Sequence, residues 1–147
     1  MAAIDVNAPP FIPVHPLLSV GEVGSEITII CAAESLEVSP DQDENTVETF
    51  CGTYTTYKPE KWTITASSFM SYGSAGLWNN LRPLVGSVVP FKVRPDADSA
   101  VSVDNPEMNG TAVVKGFSFF NGGPGEPTAV DVVLAVQGTP TWTTTGP

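Results

Sequence analysis

Apolar and polar residues alternate along several short segments of this chain. The clearest case is residues 61–68, where Trp62, Ile64 and Ala66 share one face and threonine or serine occupies the other. This period of two is typical of a half-buried antiparallel strand. Similar patterns predict further strands at residues 26–33, 47–57, 87–94, 110–120 and 129–137. Short strands separated by frequent prolines and glycines favour a domain built mainly from β-structure.

One segment predicts a helix. Leu77 and Leu81 are four residues apart, the spacing of apolar positions on one helical face. Ser74 is placed to cap the first turn, and Gly86 is placed to end the helix. We therefore expect a short helix within residues 74–85 that covers one side of the sheet.

The predicted strand at residues 129–137 is apolar or small on both faces. One face is formed by Val130, Val132, Leu134 and Val136. The opposite face consists of Ala129, Asp131, Val133, Ala135 and Gln137. A strand of this kind needs cover on both sides, and in a small domain the second cover can be another subunit.

The length of 147 residues suits a single domain with a substantial core. From the strand and helix patterns, the residues expected in that core are Trp62, Ile64, Leu77, Leu81, Phe91, Val132 and Leu134.

The first 24 residues differ from the rest of the chain. They contain four prolines and little periodicity, which disfavours a helix and suits an extended arm. Apolar residues such as Phe11 and Ile12 lead us to expect that this arm docks on a neighbouring surface. The β domain is then expected to span residues 25–140, followed by a C-terminal tail over residues 141–147.

Charge is distributed unevenly. Residues 34–48 contain six acidic side chains and no basic one, which predicts a solvated loop or a hairpin tip. The whole chain has 6 basic and 16 acidic residues, a formal net charge of −10. This charge opposes binding that depends on neutralising phosphates. It either keeps the protein soluble or forms an acidic surface past which nucleic acid slides.

Candidate catalytic groups are few. The single histidine, His15, lies in the proline-rich arm, where we expect no rigid neighbour to position it as a catalytic base. The acidic runs at residues 41–44 and 96–98 lack the glycine and the closing glutamate of a helix-flanked calcium loop, which favours solvated turns. We expect no enzymatic activity, no metal and no cofactor.

The two cysteines, Cys31 and Cys51, each lie on an apolar run. They form no pair or cluster with zinc-ligand spacing. A disulfide requires that their strands be neighbours; two buried free thiols are the interpretation that we favour. No segment has the apolar length of a membrane span, and the residues before His15 lack the basic start of a signal peptide, so we expect neither membrane insertion nor export.

The second half of the chain resembles the major tail tube proteins of long-tailed bacteriophages. The resemblance is carried by the order of KWTIT (61–65), the helical segment 77–84, GSVVPF (86–91), PEMNGTAV (106–113), and the glycine-rich turn before 129–137 with GTP (138–140). It implies an antiparallel β-sandwich or half-barrel flanked by one short α-helix. It also implies a virion protein, made in the cytoplasm of a bacterial host, that forms hexameric rings with copies of itself. Stacked rings, in contact with other tail proteins, would form a conduit through which DNA passes without specific binding.

The resemblance also suggests places for the acidic residues. It places Glu126 and Asp131 near the lumen of the tube, and Glu37, Asp41, Asp43 and Glu44 in a long loop that contacts the adjacent ring. Ordinary exposed surface is the alternative for each of them.

Two other functions stay open at this point. Tail-terminator and tail-completion proteins share the architecture of the tube protein. A capsid decoration or tail-tip module that recognises a surface or a carbohydrate is a further alternative. Its possible binding platform is aromatic, although core or interface packing accounts better for these residues: Tyr54, Tyr57, Trp62, Phe117 and Phe119.

Overall fold

The computed structural model describes residues 10–12, 15–29 and 33–145. Cys31 and most of the first 14 residues lie outside this part of the chain. Within the described residues, no helix is both long enough and apolar enough to cross a membrane.

The described chain forms nine β-strands and one short helix. The strands are β1 (Leu17–Val20), β2 (Ile27–Thr28), β3 (Ala33–Asp41), β4 (Glu44–Thr49), β5 (Gly52–Tyr57), β6 (Lys61–Phe69), β7 (Val88–Arg94), β8 (Glu107–Val114) and β9 (Ala129–Thr143). The helix α1 (Leu77–Leu81) continues into a 3₁₀ turn at Arg82–Leu84.

Seven of the strands form one curled antiparallel sheet with the order β2-β1-β7-β8-β9-β6-β3. The remaining two, β4 and β5, pair only with each other in a separate hairpin. The expected fold class is confirmed: the protein is mainly β, an antiparallel half-barrel flanked by one short helix.

One face of the sheet and the helix form the core. Val132 and Leu134 on β9 and Ile64 on β6 are completely buried, and Leu77 and Leu81 of α1 are buried against the same cluster. Phe91 on β7 is also buried, whereas Trp62 is half-buried at the edge of the cluster. The period-two patterns of β6, β7 and β9 therefore correspond to the buried and exposed faces of these strands.

The helix is shorter than predicted, and Ser74 does not cap it. The N-cap residue is Gly76, which has no side-chain cap. The Leu77 N–H instead donates to Ser71 Oγ at 2.9 Å. An added Cβ on Gly76 would lie 2.6 Å from the backbone of Ser71 and Tyr72, so the chain turns tightly here before the helix begins. Gly86 follows the 3₁₀ turn with a φ of +83°, a conformation that favours glycine.

Several strand boundaries differ from the prediction. The strand expected at 26–33 is divided: β2 contains only Ile27–Thr28, and β3 begins at Ala33. The strand expected at 110–120 is β8, which begins at Glu107 and ends at Val114. The last strand extends to Thr143, so Trp142 of the expected C-terminal tail pairs with Met108. Likewise β1, within the expected N-terminal arm, pairs with β7 in the sheet.

The acidic segment 34–48 is mostly β-structure. Residues up to Asp41 belong to β3, which pairs with β6, and Glu44 begins β4 of the hairpin. The loop interpretation was wrong for β3 because its acidic residues obscure a period-two pattern in which Leu36 and Val38 are half-buried. The expectation of a hairpin tip fits residues 44–57 better.

Candidate assembly surfaces

The β4–β5 hairpin projects beyond the main sheet. It continues the β3–β6 pair, since Asp41 pairs with Lys61 and the Lys58 N–H donates to the Asp43 carbonyl at 2.8 Å. Every residue from Asp41 to Lys61 is exposed. With six residues in β4 at about 3.3 Å each, the hairpin extends about 20 Å.

Apolar or aromatic side chains are exposed on both faces and at the tip of this hairpin, among threonine and acidic residues. Val47 and Tyr54 are cross-strand partners on one face, and Tyr57 lies on the other. Phe50, in the turn between the strands, is fully exposed. A two-stranded hairpin without cover is marginally stable in water, and an exposed apolar surface of this kind marks a site of interaction.

The four acidic residues expected at a ring-to-ring contact are divided between two places. Asp41, Asp43 and Glu44 lie together at the base of the hairpin. The Glu44 carboxylate accepts a hydrogen bond from Thr46 Oγ1 at 3.2 Å. Glu37 lies within β3, opposite Thr65 of the main sheet.

The face of the sheet that points away from the core is small and polar around β3, β6 and β9. We call it the hydroxyl face and define it as Glu37, Ser39, Thr63, Thr65, Ser67, Asp131, Val133 and Ala135. The residues that define it include two carboxylates and no cation, and two lysines lie at its borders: Lys61, opposite Asp41, and Lys115, beside Val133. Asp131 is exposed and accepts a hydrogen bond from Ser67 Oγ at 2.9 Å.

Glu126 lies elsewhere. It is exposed in the connection between β8 and β9, where its N–H donates to the Gly123 carbonyl at 3.2 Å. The structure therefore places Asp131 on the hydroxyl face and Glu126 in a loop outside it.

The sheet has two outer strands in the described chain, β2 at one side and β3 at the other. β2 contains only two residues, whereas β3 contains nine. The outer backbone groups of such a long edge strand are available to pair with another chain.

A groove lined by aromatic side chains lies at the end of the sheet opposite the hairpin. We call it the aromatic groove; it has a volume of about 700 Å³ and is lined by Trp78, Arg82, Gly116, Phe117, Ser118, Phe119, Asn121, Ala129, Val130 and Asp131. The Trp78 ring meets Phe117 and Phe119 edge to face, with ring centroids 5.6 and 4.6 Å apart. The Arg82 guanidinium lies 5.6 Å from the centre of the Trp78 ring.

The aromatic groove was not predicted from the sequence. Phe117 and Phe119 had been assigned to a continuous strand, but β8 ends at Val114 and the following residues leave the sheet. The sequence contained one sign that the strand ends early: the Phe-Ser-Phe-Phe run at 117–120, directly before a glycine-rich turn. Aromatic residues at the adjacent positions 119 and 120 break the period of two that is typical of a half-buried strand.

The loop between β7 and β8 is held by local hydrogen bonds. The buried Asn105 side chain donates to the Asp96 carbonyl at 2.9 Å, and the Asp96 N–H donates to Asn105 Oδ1 at 3.0 Å. Hydrogen bonds from Ser99 Oγ and from the Asp98 N–H lower the pKa of the Asp96 carboxyl. His15 Nδ1 lies 2.8 Å from Asp98 Oδ2 and links the N-terminal segment to this loop.

The described residues bear on the metal-binding and cysteine chemistry considered above. Among residues 10–12, 15–29 and 33–145, no three His, Cys, Asp or Glu side chains are grouped so that they could hold a metal ion. Cys51 is exposed in the hairpin turn, so the prediction of a buried thiol was wrong for this residue. It was wrong because the turn after β4 places Cys51 outside both strands.

Comparison with known proteins supports the fold. No protein family matches the sequence, and no curated protein matches it. A chain in the virion of a native gene transfer agent particle matches the structure with a TM-score of 0.61 at 13% identity, over 86% of this chain and 95% of that chain. A chain in the tail of an empty gene transfer agent particle, refined with helical C6 symmetry, matches with a TM-score of 0.61 at 12% identity, over 86% and 94% of the two chains.

The fold is shared. Because the match covers 86% of this chain and nearly all of each gene transfer agent chain, the likeness is not limited to a common β-motif.

Proposed function

We propose that this protein is a structural subunit of a phage-like tail tube, which forms rings that stack into a conduit for DNA. The observation that carries the proposal is the fold shared with a chain in a gene transfer agent tail of C6 symmetry. The protein acts by assembly, without catalysis or a cofactor. Its place is the virion tail, after synthesis in the cytoplasm of a bacterial host.

The sheet provides a route to ring closure. The long outer strand β3 can pair with the opposite edge of a neighbouring copy, so that one sheet continues into the next. Such a contact joins two different surfaces, and repeated rotation closes it into a ring. Hexameric closure is the form that we propose, and other tail proteins would bind at the two ends of the stack.

The hydroxyl face supports a lumen that DNA does not bind. Its centre consists of hydroxyl groups and the carboxylates of Glu37 and Asp131, while the lysines Lys61 and Lys115 lie only at its borders. DNA binding depends on lysine and arginine that replace counterions, so an acidic lining repels the duplex and allows it to pass. We assign Asp131 to this lining, and Glu126 to the rim of the lumen.

The hairpin supports contact between rings. Asp41, Asp43 and Glu44 lie at its base, and its exposed apolar residues need a partner surface. A projection of about 20 Å is long enough to leave one ring and enter the next.

Electron microscopy tests the proposal directly. The purified full-length protein, examined by negative stain and by light scattering over a range of concentration and salt, is expected to form rings and then tubes. A protein that stays monomeric at every concentration and salt would overturn the proposal. Rings that never stack would favour a tail-terminator or tail-completion protein.

A binding module is the second candidate function. The observation in its favour is Trp142, which is 48% exposed and packs edge to face on Trp62 with a centroid distance of 5.3 Å. A glycan or cell-binding assay that responds to Trp142→Ala, in a protein that forms no rings, would favour a decoration or tail-tip module.

A further inference from the structure

The hairpin and the aromatic groove lie at opposite ends of the same strand. β6 runs from Lys61, next to the hairpin, to Phe69, next to the groove. Nine residues at about 3.3 Å each separate the two ends by about 30 Å. Because the hairpin points away from the groove, the two surfaces can meet only between different copies of the chain.

The two surfaces are chemically complementary in their apolar parts. The hairpin exposes Phe50 at its tip and Val47 and Tyr54 behind it. The groove is lined by Trp78, Phe117 and Phe119 and has room for more than one side chain. Aromatic side chains that meet edge to face gain energy beyond that of their buried area.

Their charges are complementary as well. Residues 41–60 contain five acidic side chains and one basic one. Of the four basic residues outside the hairpin and its base, Lys92 lies 3.8 Å from Glu26 and Arg94 lies 3.8 Å from Glu107.

The other two basic residues, Arg82 and Lys115, have no carboxylate within salt-bridge distance in the described part of the chain. Arg82 lines the groove, whereas the Lys115 N–H donates to the Val133 carbonyl at 3.0 Å, which places Lys115 beside the hydroxyl face. Asp131 is also in the lining, so the groove contains one carboxylate. The groove therefore offers one cation, Arg82, to an acidic partner, at the side of the Trp78 ring.

We propose that the aromatic groove receives the tip of the β4–β5 hairpin from a second copy of this chain. Phe50 packs on the edge-to-face pair of Trp78 and Phe119, and the hairpin carboxylates approach Arg82. The contact joins two different surfaces, so it repeats in one direction and gives the stack a polarity. This inference rests on the proposed function and names the surface that accepts the hairpin.

The native thiol of Cys51 provides the test, because it is exposed beside Phe50. A Ser118→Cys variant adds a thiol in the groove, at a position that is itself exposed. Assemblies of the full-length variant are oxidised mildly and analysed on non-reducing gels, and the linked peptides are identified by mass spectrometry. We expect an intermolecular disulfide between Cys51 and position 118, seen as a ladder of multimers.

Val103→Cys is the matched control. Val103 is exposed in the β7–β8 loop, at the hairpin end of the molecule, and its variant is expected to form no disulfide with Cys51. If tubes form but Cys51 links to position 103, or to neither position, the groove is not the receptor. If the native protein forms no rings or tubes, the proposed function itself is wrong. This result differs from tubes without the expected disulfide, which would exclude only the groove as the receptor.

Phe50→Ser provides a second measurement that does not depend on cysteine chemistry. Because Phe50 is fully exposed in the single chain, the unassembled variant should melt at the same temperature as the unassembled native protein. We expect rings in electron micrographs and a loss of tubes. Tubes that persist in this variant at the native protein concentration would overturn the proposal.

Discussion

Val132 shows what a single position contributes to this fold. It is completely buried on β9, while its neighbour Asp131 points to the other face and is exposed. The alternation of apolar and polar residues was sufficient to predict both orientations, because successive side chains on a strand point to opposite faces. The burial of a position therefore decides whether it tolerates a charged substitution.

Val132→Asp should abolish folding. An unpaired carboxylate in the core costs several kcal/mol, against a total stability of about 5–15 kcal/mol. Far-UV circular dichroism and thermal melting of the purified variant provide the measurement. Gln137→Asp, at an exposed position of the same strand, is the control and should melt as the native protein does. A soluble, native Val132→Asp protein would show that the assignment of buried and exposed faces is wrong.

The Asp96 carboxyl should titrate below its ordinary value of 3.8, mainly because it accepts a hydrogen bond from Ser99. A pKa that is lower in the folded protein means that this group stabilises the fold above about pH 3.8 and loses that effect as the pH falls through the folded pKa. NMR titration of the native protein and of Ser99→Ala checks this prediction. The pKa of Asp96 should rise in the variant; an unchanged value would contradict the assigned cause.

At the scale of elements, local geometry modified what periodicity predicted. The leucine spacing placed the helix correctly, but its start depends on the close approach of Gly76 to the backbone of Ser71 and Tyr72. Ser74 had the right residue type for a cap and the wrong position. A contact between backbone segments is not visible in residue types alone, so the cap could not be predicted.

Gly76→Ala should destabilise the protein. Its Cβ would lie 2.6 Å from backbone atoms that cannot move aside as a flexible side chain could. Overpacking of this kind costs about 1–3 kcal/mol, or a decrease in melting temperature of about 2–4 °C for each kcal/mol. Gly116→Ala is the matched control, since its Cβ would meet only a Val85 methyl at 4.0 Å. Equal melting temperatures for the two variants would contradict the argument.

At the scale of the whole molecule, the two ends of the sheet differ in chemistry. The hairpin end is acidic and exposes apolar residues, and the other end carries the aromatic groove with Arg82. Between them lies the hydroxyl face, and Asp131 lies where this face meets the groove. Two different ends are what the proposed stack of rings requires for its polarity, and a face that repels DNA is what the proposed lumen requires.

Asp131→Lys should leave the fold intact and change the response to DNA. The residue is exposed, so the free energy of unfolding should change by about 0.5 kcal/mol or less, and the melting temperature should change little. A lysine repeated around a ring would create a basic surface, and we expect a mobility shift with duplex DNA that weakens steeply as salt rises. Asp131→Asn, which removes the charge without reversing it, is the control. If the folded Asp131→Lys assembly causes no mobility shift of duplex DNA at low salt, residue 131 does not line the lumen.

The sequence by itself determined the β-class, the buried faces of β6, β7 and β9 and the place of the helix, since these follow from the period of apolar residues within one segment. Only the tertiary structure decided that β3 is an edge strand, that Cys51 lies at an exposed tip, and that Trp78 and Phe119 meet in a groove. The physical reason is separation along the chain. These features depend on pairing and contact between residues that are distant in sequence, and local periodicity carries no information about which distant segments meet.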